Sequence, residues 1–322
     1  MSRTQAPYRF LLDPADKAAF APATRQQPAN LKGLIRSGKI LIGNVLSYPS
    51  TQVARTLAAT GADWIWIDAE HVAWPVSVLV ECVQIINHES AGRTVPIVRI
   101  PSKGAFEYMA YCLDAGAGGI ILPHVDTAEE VAGALEASLF PPQGDRSFPP
   151  FSFIPTVTDH APKGETVYSI ANKHVSIIPQ VESARGIAHM DAICAMEGVD
   201  AVMIGGELTV FGSKGQGPGK EFRLTFVAGD LRLELGLPLA FVGTEPTFVC
   251  AMETAAAAAK KHNKALVGAA LGPEMVEERL RLGFRMLITT IDFHTMALGT
   301  MGDMAAARKT VEGSKYLVKE EL

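Results

Sequence analysis

Apolar residues in this chain come in short, mainly apolar blocks, separated by longer stretches in which they recur every three or four positions. The blocks cover residues 40–46, 64–68, 95–100, 119–125, 176–181, 201–204, 265–270 and 286–291. A strand with one wet face alternates apolar and polar residues, whereas strands apolar throughout belong to a parallel sheet covered on both faces. The stretches between, at 51–60, 75–87, 105–115, 127–137, 184–197, 247–262 and 273–282, predict helices. Gly61, Gly116, Gly198 and Gly283 follow four of them, where a left-handed C-cap favours glycine. Strand, helix, glycine, strand is the rhythm of βαβ units. Eight such strands in one domain predict a closed (β/α)8 TIM barrel over the rival arrangement, a doubly wound open sheet.

Some segments stand outside that rhythm. Residues 1–32 read as an N-terminal arm, with Pro7, Pro14, Pro22 and Pro28 scattered among Ala and polar residues. Its apolar patch at 8–12 either docks or stays loose. Residues 33–322 are expected to form a single barrel domain that ends in a helix over 295–316. A ninth apolar run at 237–242 falls in a long excursion after strand six and is expected outside the barrel count. Residues 139–174, rich in Pro, Gly and aromatics, are expected on the active-site face.

Composition narrows the partners. The chain is 48% hydrophobic and 20% charged with a formal net charge of −5, which argues against nucleic acid or an anionic membrane as partner. No apolar run reaches the length of a membrane helix, and the N-terminus has no secretory core. Cys82, Cys112, Cys194 and Cys250 form no Cys-x-x-Cys pair, so buried thiols are expected rather than disulfides or a zinc site. A cytoplasmic enzyme acting on a small molecule fits these features.

The chemistry gathers at the C-terminal ends of the predicted strands, where barrel active sites lie. Strand two runs into Asp68, Glu70 and His71, strand three ends in Arg99, and strand four in His124. Strand five delivers Gln180 and Glu182, and strand six Gly205, Gly206 and Glu207. Gln180 and Glu182 are two apart and share one face, the barrel mouth. With Glu207 from the adjacent strand, Glu182 would form a carboxylate pair that repels unless a cation or shared proton separates it. Few, hard oxygen ligands suit Mg2+ or Mn2+. Arg99 needs an anionic partner, either Asp68 or Glu70 in a structural ion pair or a substrate carboxylate or enolate. His71 and His124 are the candidate proton-transfer groups, and Asp114 is the carboxylate that would orient His71. Gly205 and Gly206 would let backbone approach a carboxylate closely, or simply make a tight turn.

Residues 64–71 (Trp-Ile-Trp-Ile-Asp-Ala-Glu-His), 95–99 (Val-Pro-Ile-Val-Arg), 113–116 (Leu-Asp-Ala-Gly) and 121–129 resemble successive blocks of the HpcH/HpaI aldolase family. Residues 141–146 (Pro-Pro-Gln-Gly-Asp-Arg) and 180–182 (Gln-Val-Glu) match two more, in order. The resemblance implies a divalent-metal-dependent carbon–carbon lyase acting on a 2-oxo acid, such as an aldolase or an oxaloacetate decarboxylase, through a pyruvate enolate. It implies Glu182 as metal ligand, Arg99 on the keto or enolate oxygen, a His71–Asp114 acid–base dyad, and Gln180 near the pyruvate oxygens. It also implies a homo-oligomer, a hexamer or a dimer, that exchanges its C-terminal helix. The family's Gly-Pro-x-Asp-Leu at the end of strand six is replaced here by Gly205-Gly206-Glu207-Leu208, which leaves Glu207 as the candidate second ligand. A variant of the chemistry adds the enolate to a 2-pyrone, with His124, Trp66, Tyr168 and the 148–153 loop as candidates to line a second pocket. A barrel that has lost metal chemistry and serves binding or assembly is the reading from another class.

Overall fold

Eight strands pair in parallel, each with its neighbour in sequence, and the last closes on the first. The structure, a computed structural model, describes residues 30–148, 164–205, 229–238, 243–314 and 316. The strands are β1 (Leu41–Leu46), β2 (Trp64–Asp68), β3 (Val95–Arg99), β4 (Gly119–Leu122), β5 (Ser176–Val181), β6 (Ala201–Ile204), β7 (Ala265–Ala269) and β8 (Phe284–Ile291). All eight coincide with the apolar blocks, and the barrel reading holds. Helix α1 (Leu31–Arg36) precedes β1, so the expected boundary at residue 32 falls inside a helix. The outer helices are α2 (Thr51–Ala58), α3 (Val76–Glu89), α4 (Phe106–Ala115), α5 (Ala128–Ser138), α6 (Val167–His174), α7 (Ala184–Ala188), α8 (Met190–Ala195), α9 (Gly229–Glu234), α10 (Pro246–Lys261) and α11 (Pro273–Arg281). Helix α12 (Asp292–Glu312) ends the described chain. No described helix is long and apolar enough to cross a membrane.

Alternation along the strands decides what lies inside. Leu41, Val45, Trp64, Trp66, Val95, Ile97, Ile121, Ile178, Met203, Val267 and Met286 pack in the barrel interior, with Leu31 and Ile35 of α1 in the same cluster. The opposite parity (Ile65, Ile67, Val98, Ile120, Val202 and others) packs against the helices. Helix α1 thus closes the N-terminal end, with Asn30 Oδ1 accepting the Gly33 N–H at 2.5 Å as its cap. Gly61, Gly116, Gly198 and Gly283 all have positive φ, as their places after helices predict.

Two expectations need correction. Residues 139–174 follow α5 and lead into β5, so their described parts hang from the N-terminal end of the barrel, opposite the mouth. The last of them form α6, started by a capping box between Thr166 and Ser169. The helix expected over 184–197 is two short helices meeting at His189. Of the ninth apolar run, expected outside the barrel count, the described residues Leu237 and Pro238 are in no strand; residues 239–242 lie outside the described set, as do 1–29.

Gly43 is the tightest point of the interior. It pairs with Trp64 across β1 and β2, and a Cβ there would lie 2.3 Å from the indole Cε2. Trp64 is wholly buried and has no room to yield. Gly43→Ala is therefore expected to destabilise the barrel by about 1–3 kcal/mol, read as a lower urea midpoint with an unchanged slope.

Candidate active site

The interior parity carries on past the strand ends. Trp64 and Trp66 point inward, and so does Asp68; Ile97 leads to Arg99, and Ile178 to Gln180 and Glu182. Register places Asp68 directly opposite Arg99. Arg99 donates from Nε to Asp68 Oδ1 at 2.9 Å, and its Nη2 lies 2.8 Å from Oδ2, a bidentate pair. Its Nη1 lies 2.8 Å from Glu70 Oε2 and donates to Gln180 Oε1 at 3.3 Å. The guanidinium sits 4.5 Å above the Trp66 ring. Burial works against its charge, but Asp68, Glu70 and Glu182 outweigh that and hold its pKa above the ordinary value. The two readings offered for Arg99 are thus joined: it is paired with both Asp68 and Glu70, and it faces the mouth.

Glu182 follows β5 and is almost fully buried. Gln180 Nε2 donates to its Oε2 at 2.6 Å, and the His124 backbone N–H donates to Oε1 at 3.1 Å. The imidazole of His124 spans two carboxylates, with Nδ1 2.8 Å from Glu182 Oε1 and Nε2 3.2 Å from Glu70 Oε1. Gly205, just beyond β6, backs the carboxylate: a Cβ there would meet Glu182 Oε2 at 2.3 Å. Close approach is the glycine's role at this position. Burial pushes the Glu182 pKa up to about 7, with Asp230 and Glu70 adding to the shift against His124 and Gln180. Burial likewise raises Glu70, opposed by Arg99, His71 and His124.

Asp230 is the carboxylate the structure sets beside Glu182. One ligand atom each from His124, Glu182 and Asp230 lie within 4.8 Å of one another. Asp230 is in the first turn of α9, which is fastened from behind. Arg232 donates from Nη1 and Nη2 to Glu245 at 3.0 and 2.6 Å and from Nε to the Pro238 carbonyl at 2.7 Å. Glu234 accepts the Ala184 N–H at 3.1 Å.

Of the expected site residues, Trp66, Arg99, Gln180, Glu182, His124 and Gly205 meet at the mouth. His71 is at the rim, with Nε2 3.6 Å from Glu70 Oε2. Asp114 is not there. It lies in the last turn of α4, whose following residues Gly116 and Gly118 bond to Asn87 and to Pro96 at the start of β3. That is the N-terminal end of the barrel, and there Asp114 Oδ1 accepts from Arg146 at 2.6 Å. The expected His71–Asp114 contact therefore cannot form within one chain. Tyr168 is at the same far end, edge-on to Phe140 and Phe148 at 5.3 Å each, because α6 leads into β5. Gly206, Glu207 and residues 149–163 lie outside the described residues.

The HpcH/HpaI aldolase/citrate lyase family model matches residues 46–297, which takes in β2 to β8 whole and only the last residue of β1. The chain belongs to that family. A 5-keto-4-deoxy-D-glucarate aldolase of Salmonella paratyphi A is 30% identical over 181 residues, covering 55% of this chain and 66% of that aldolase, just short of two thirds of its length. Macrophomate synthase is similar at 31% identity and a TM-score of 0.78 over 97% of this chain and 99% of that one. The citrate synthase SbnG, at 24% identity and a TM-score of 0.68 over 88% and 99%, shares the fold. The expectation of an aldolase-like lyase agrees with this membership.

Asp230 was not among the expected site residues; it stands in an Asp-Leu pair, Asp230-Leu231, after residues 206–228, and offers a ligand atom within 4.8 Å of those of Glu182 and His124. Glu70 was read only as a partner for Arg99, yet it contacts Arg99, His71 and His124 together.

The ordinary carboxyl value for Glu182 is 4.5 and its folded value is about 7. A raised value means that its contribution to stability is full below the lower of these and is lost as pH rises through the higher. In metal-free buffer, Glu182→Gln is expected to gain stability over the parent as pH goes from about 5 to about 8, by on the order of 3 kcal/mol. Chemical denaturation at the two pH values checks this; a gap that does not widen with pH would contradict the assignment.

Proposed function

We propose that this chain is a divalent-metal-dependent carbon–carbon lyase acting on a 2-oxo acid. The observation that carries the reading is the convergence of Glu182 and Asp230 next to the buried, fully charged Arg99. Two carboxylates held together, one of them with a raised pKa, fit a divalent cation of the Mg2+ or Mn2+ kind, and Gly205 leaves room for the Glu182 side chain that would bind it. Such a cation, when bound, acts as a Lewis acid on the carbonyl and carboxylate oxygens of a 2-oxo acid.

The residues of the chain do the rest. Gln180 fixes Glu182 through Nε2 and Arg99 through Oε1, so both charges keep their orientation without rearranging during reaction. Arg99 presents positive charge to the keto oxygen as it becomes an enolate. His71, exposed at the rim, moves the proton on the substrate hydroxyl whose carbon leaves; Glu70 is its carboxylate neighbour in the same chain. Addition of the enolate to a 2-pyrone has less support within one chain, since Trp66 lies beneath Arg99 and Tyr168 at the far end.

A homo-oligomer is part of the proposal. Helix α12 has 21 residues and only Asp292 buried, with Met296, Leu298, Met304 and Val311 exposed. Beside it, outside β1 and β8, runs a groove of about 560 Å3 lined by Ile42, Val53, Leu57 and Met296. A second copy's α12 would cover it, as in the exchanged-helix assembly that the family resemblance implies. The dyad expected from the family would likewise need Asp114 of another copy.

Oxaloacetate decarboxylation is the direct test. A chelator, Glu182→Gln and Asp230→Asn are each expected to lower it at least about 100-fold, whereas Glu207→Gln is expected to leave it nearly unchanged. Activity that survives chelation and both substitutions would refute the site.

A further inference from the structure

His124 is not one of the two carboxylates of the proposed site, yet its backbone is fixed by three hydrogen bonds. Its φ is +52°, in the left-handed region that a residue with a Cβ occupies only at some cost. Three hydrogen bonds keep it there. Its N–H is bonded to Glu182, the next N–H, of Val125, donates to the Gln180 carbonyl at 2.9 Å, and Lys103 Nζ donates to the His124 carbonyl at 3.1 Å. Lys103 is set in turn by Glu130 at 2.5 Å, whose other oxygen accepts the Asp126 N–H at 2.8 Å. Both ends of the His124 peptide are clamped, so the imidazole is delivered to one place.

That place has the geometry of coordination. Metal–ligand bonds of about 2.1 Å put neighbouring ligand atoms about 3 Å apart, and His124 Nδ1 is 2.8 Å from Glu182 Oε1. Asp230 completes a set within 4.8 Å, which must tighten slightly to share one ion. Nε2, the other ring nitrogen, faces Glu70 Oε1 at 3.2 Å. A carboxylate behind the far nitrogen is the arrangement that holds a metal-binding imidazole in the correct tautomer, with the proton on Nε2 and Nδ1 free to donate its lone pair.

We infer that His124 is a third protein ligand of this metal site, through Nδ1, with Glu70 as its supporting carboxylate. The inference rests on the metal-dependent reading above. A nitrogen ligand beside two carboxylates favours Mn2+ or Co2+ over Mg2+, whose preference is for oxygen alone. Lys103 and Glu130 are positioning residues for it.

The test uses the full-length protein loaded with Mn2+, with histidine labelled by 15N or left as 14N. Pulsed electron paramagnetic resonance is expected to show nitrogen modulation that changes with the label in the parent and is lost in His124→Gln. Calorimetric titration is expected to show Mn2+ binding weakened about 10-fold or more in His124→Gln, and Mg2+ binding by less than about 3-fold. Mn2+ binding that depends on Glu182 but shows no nitrogen coupling would overturn the inference and leave the lyase site standing. Absence of any Glu182-dependent metal binding would overturn both. The spectroscopic arm needs no variant, so a poorly folding substitution does not blunt it.

Discussion

A guanidinium brought inside the mouth of the barrel with its charge intact constrains most of what surrounds it. Arg99 has 4% of its side chain exposed, and a charge so placed costs several kcal/mol unless it is paired and hydrogen-bonded. Asp68 takes one edge, Glu70 and Gln180 the other, and Trp66 lies under the plane. The pairing is also a register: Asp68 and Arg99 are opposite one another only if β2 and β3 are aligned as they are. Carboxylates then outnumber the cation. Glu182 and Glu70 are both pushed toward their protonated forms, and Asp230 adds to the excess. The divalent cation proposed for the site would offset that imbalance.

The excess is assembled by two different means. Strand parity delivers Asp68, Arg99, Gln180 and Glu182, whose positions follow from hydrogen bonding in the sheet and vary little. Asp230 and His124 are on connections, where parity says nothing, and each is held by side chains. For Asp230 the restraint is the Arg232–Glu245 pair, with Arg232 also stacked on Phe248 at 4.9 Å. The long stretch between β6 and α9 makes such a lock necessary, since sequence proximity to the strand end no longer positions the residue.

The same division explains what could be read from the sequence. Strands were legible because a parallel sheet buried on both faces leaves continuous apolar blocks, and the inward charged residues at their ends stood out against them. Arg99, Gln180 and Glu182 were found in this way. Asp230 was not legible in this way, because it sits in a short helix far along the chain from β6; Glu207, expected at the strand end, lies outside the described residues. Asp114 and Tyr168 were misplaced for a topological reason that the element order already contained. A segment that follows a helix and precedes a strand is at the N-terminal end of the barrel, so its residues cannot reach the mouth of their own chain. The family resemblance pointed to the right residue types, but it carried no information about which end of one chain they occupy.

The local energetics single out the mouth without any appeal to kinship. Among the described residues, positive φ outside glycine occurs at Ala91, Asn263 and His124. The first two follow the ends of α3 and α10, where a chain reversal accounts for them. His124 follows a strand, and no reversal of that kind requires its conformation. Trp66 Nε1 and Glu70 Oε2 are two of the four buried side-chain atoms that lack a hydrogen bond among the described residues, and both are here. Arg99 Nη1 is close to Glu70 Oε2, which accepts no aligned hydrogen bond from it. Strain, misalignment and a carboxylate that ionises with difficulty all fall within one small volume of an otherwise well-satisfied barrel. Proteins retain such compromises where a bound group repays them, and a cation shared by Glu182 and Asp230 would relieve the carboxylate repulsion at its source.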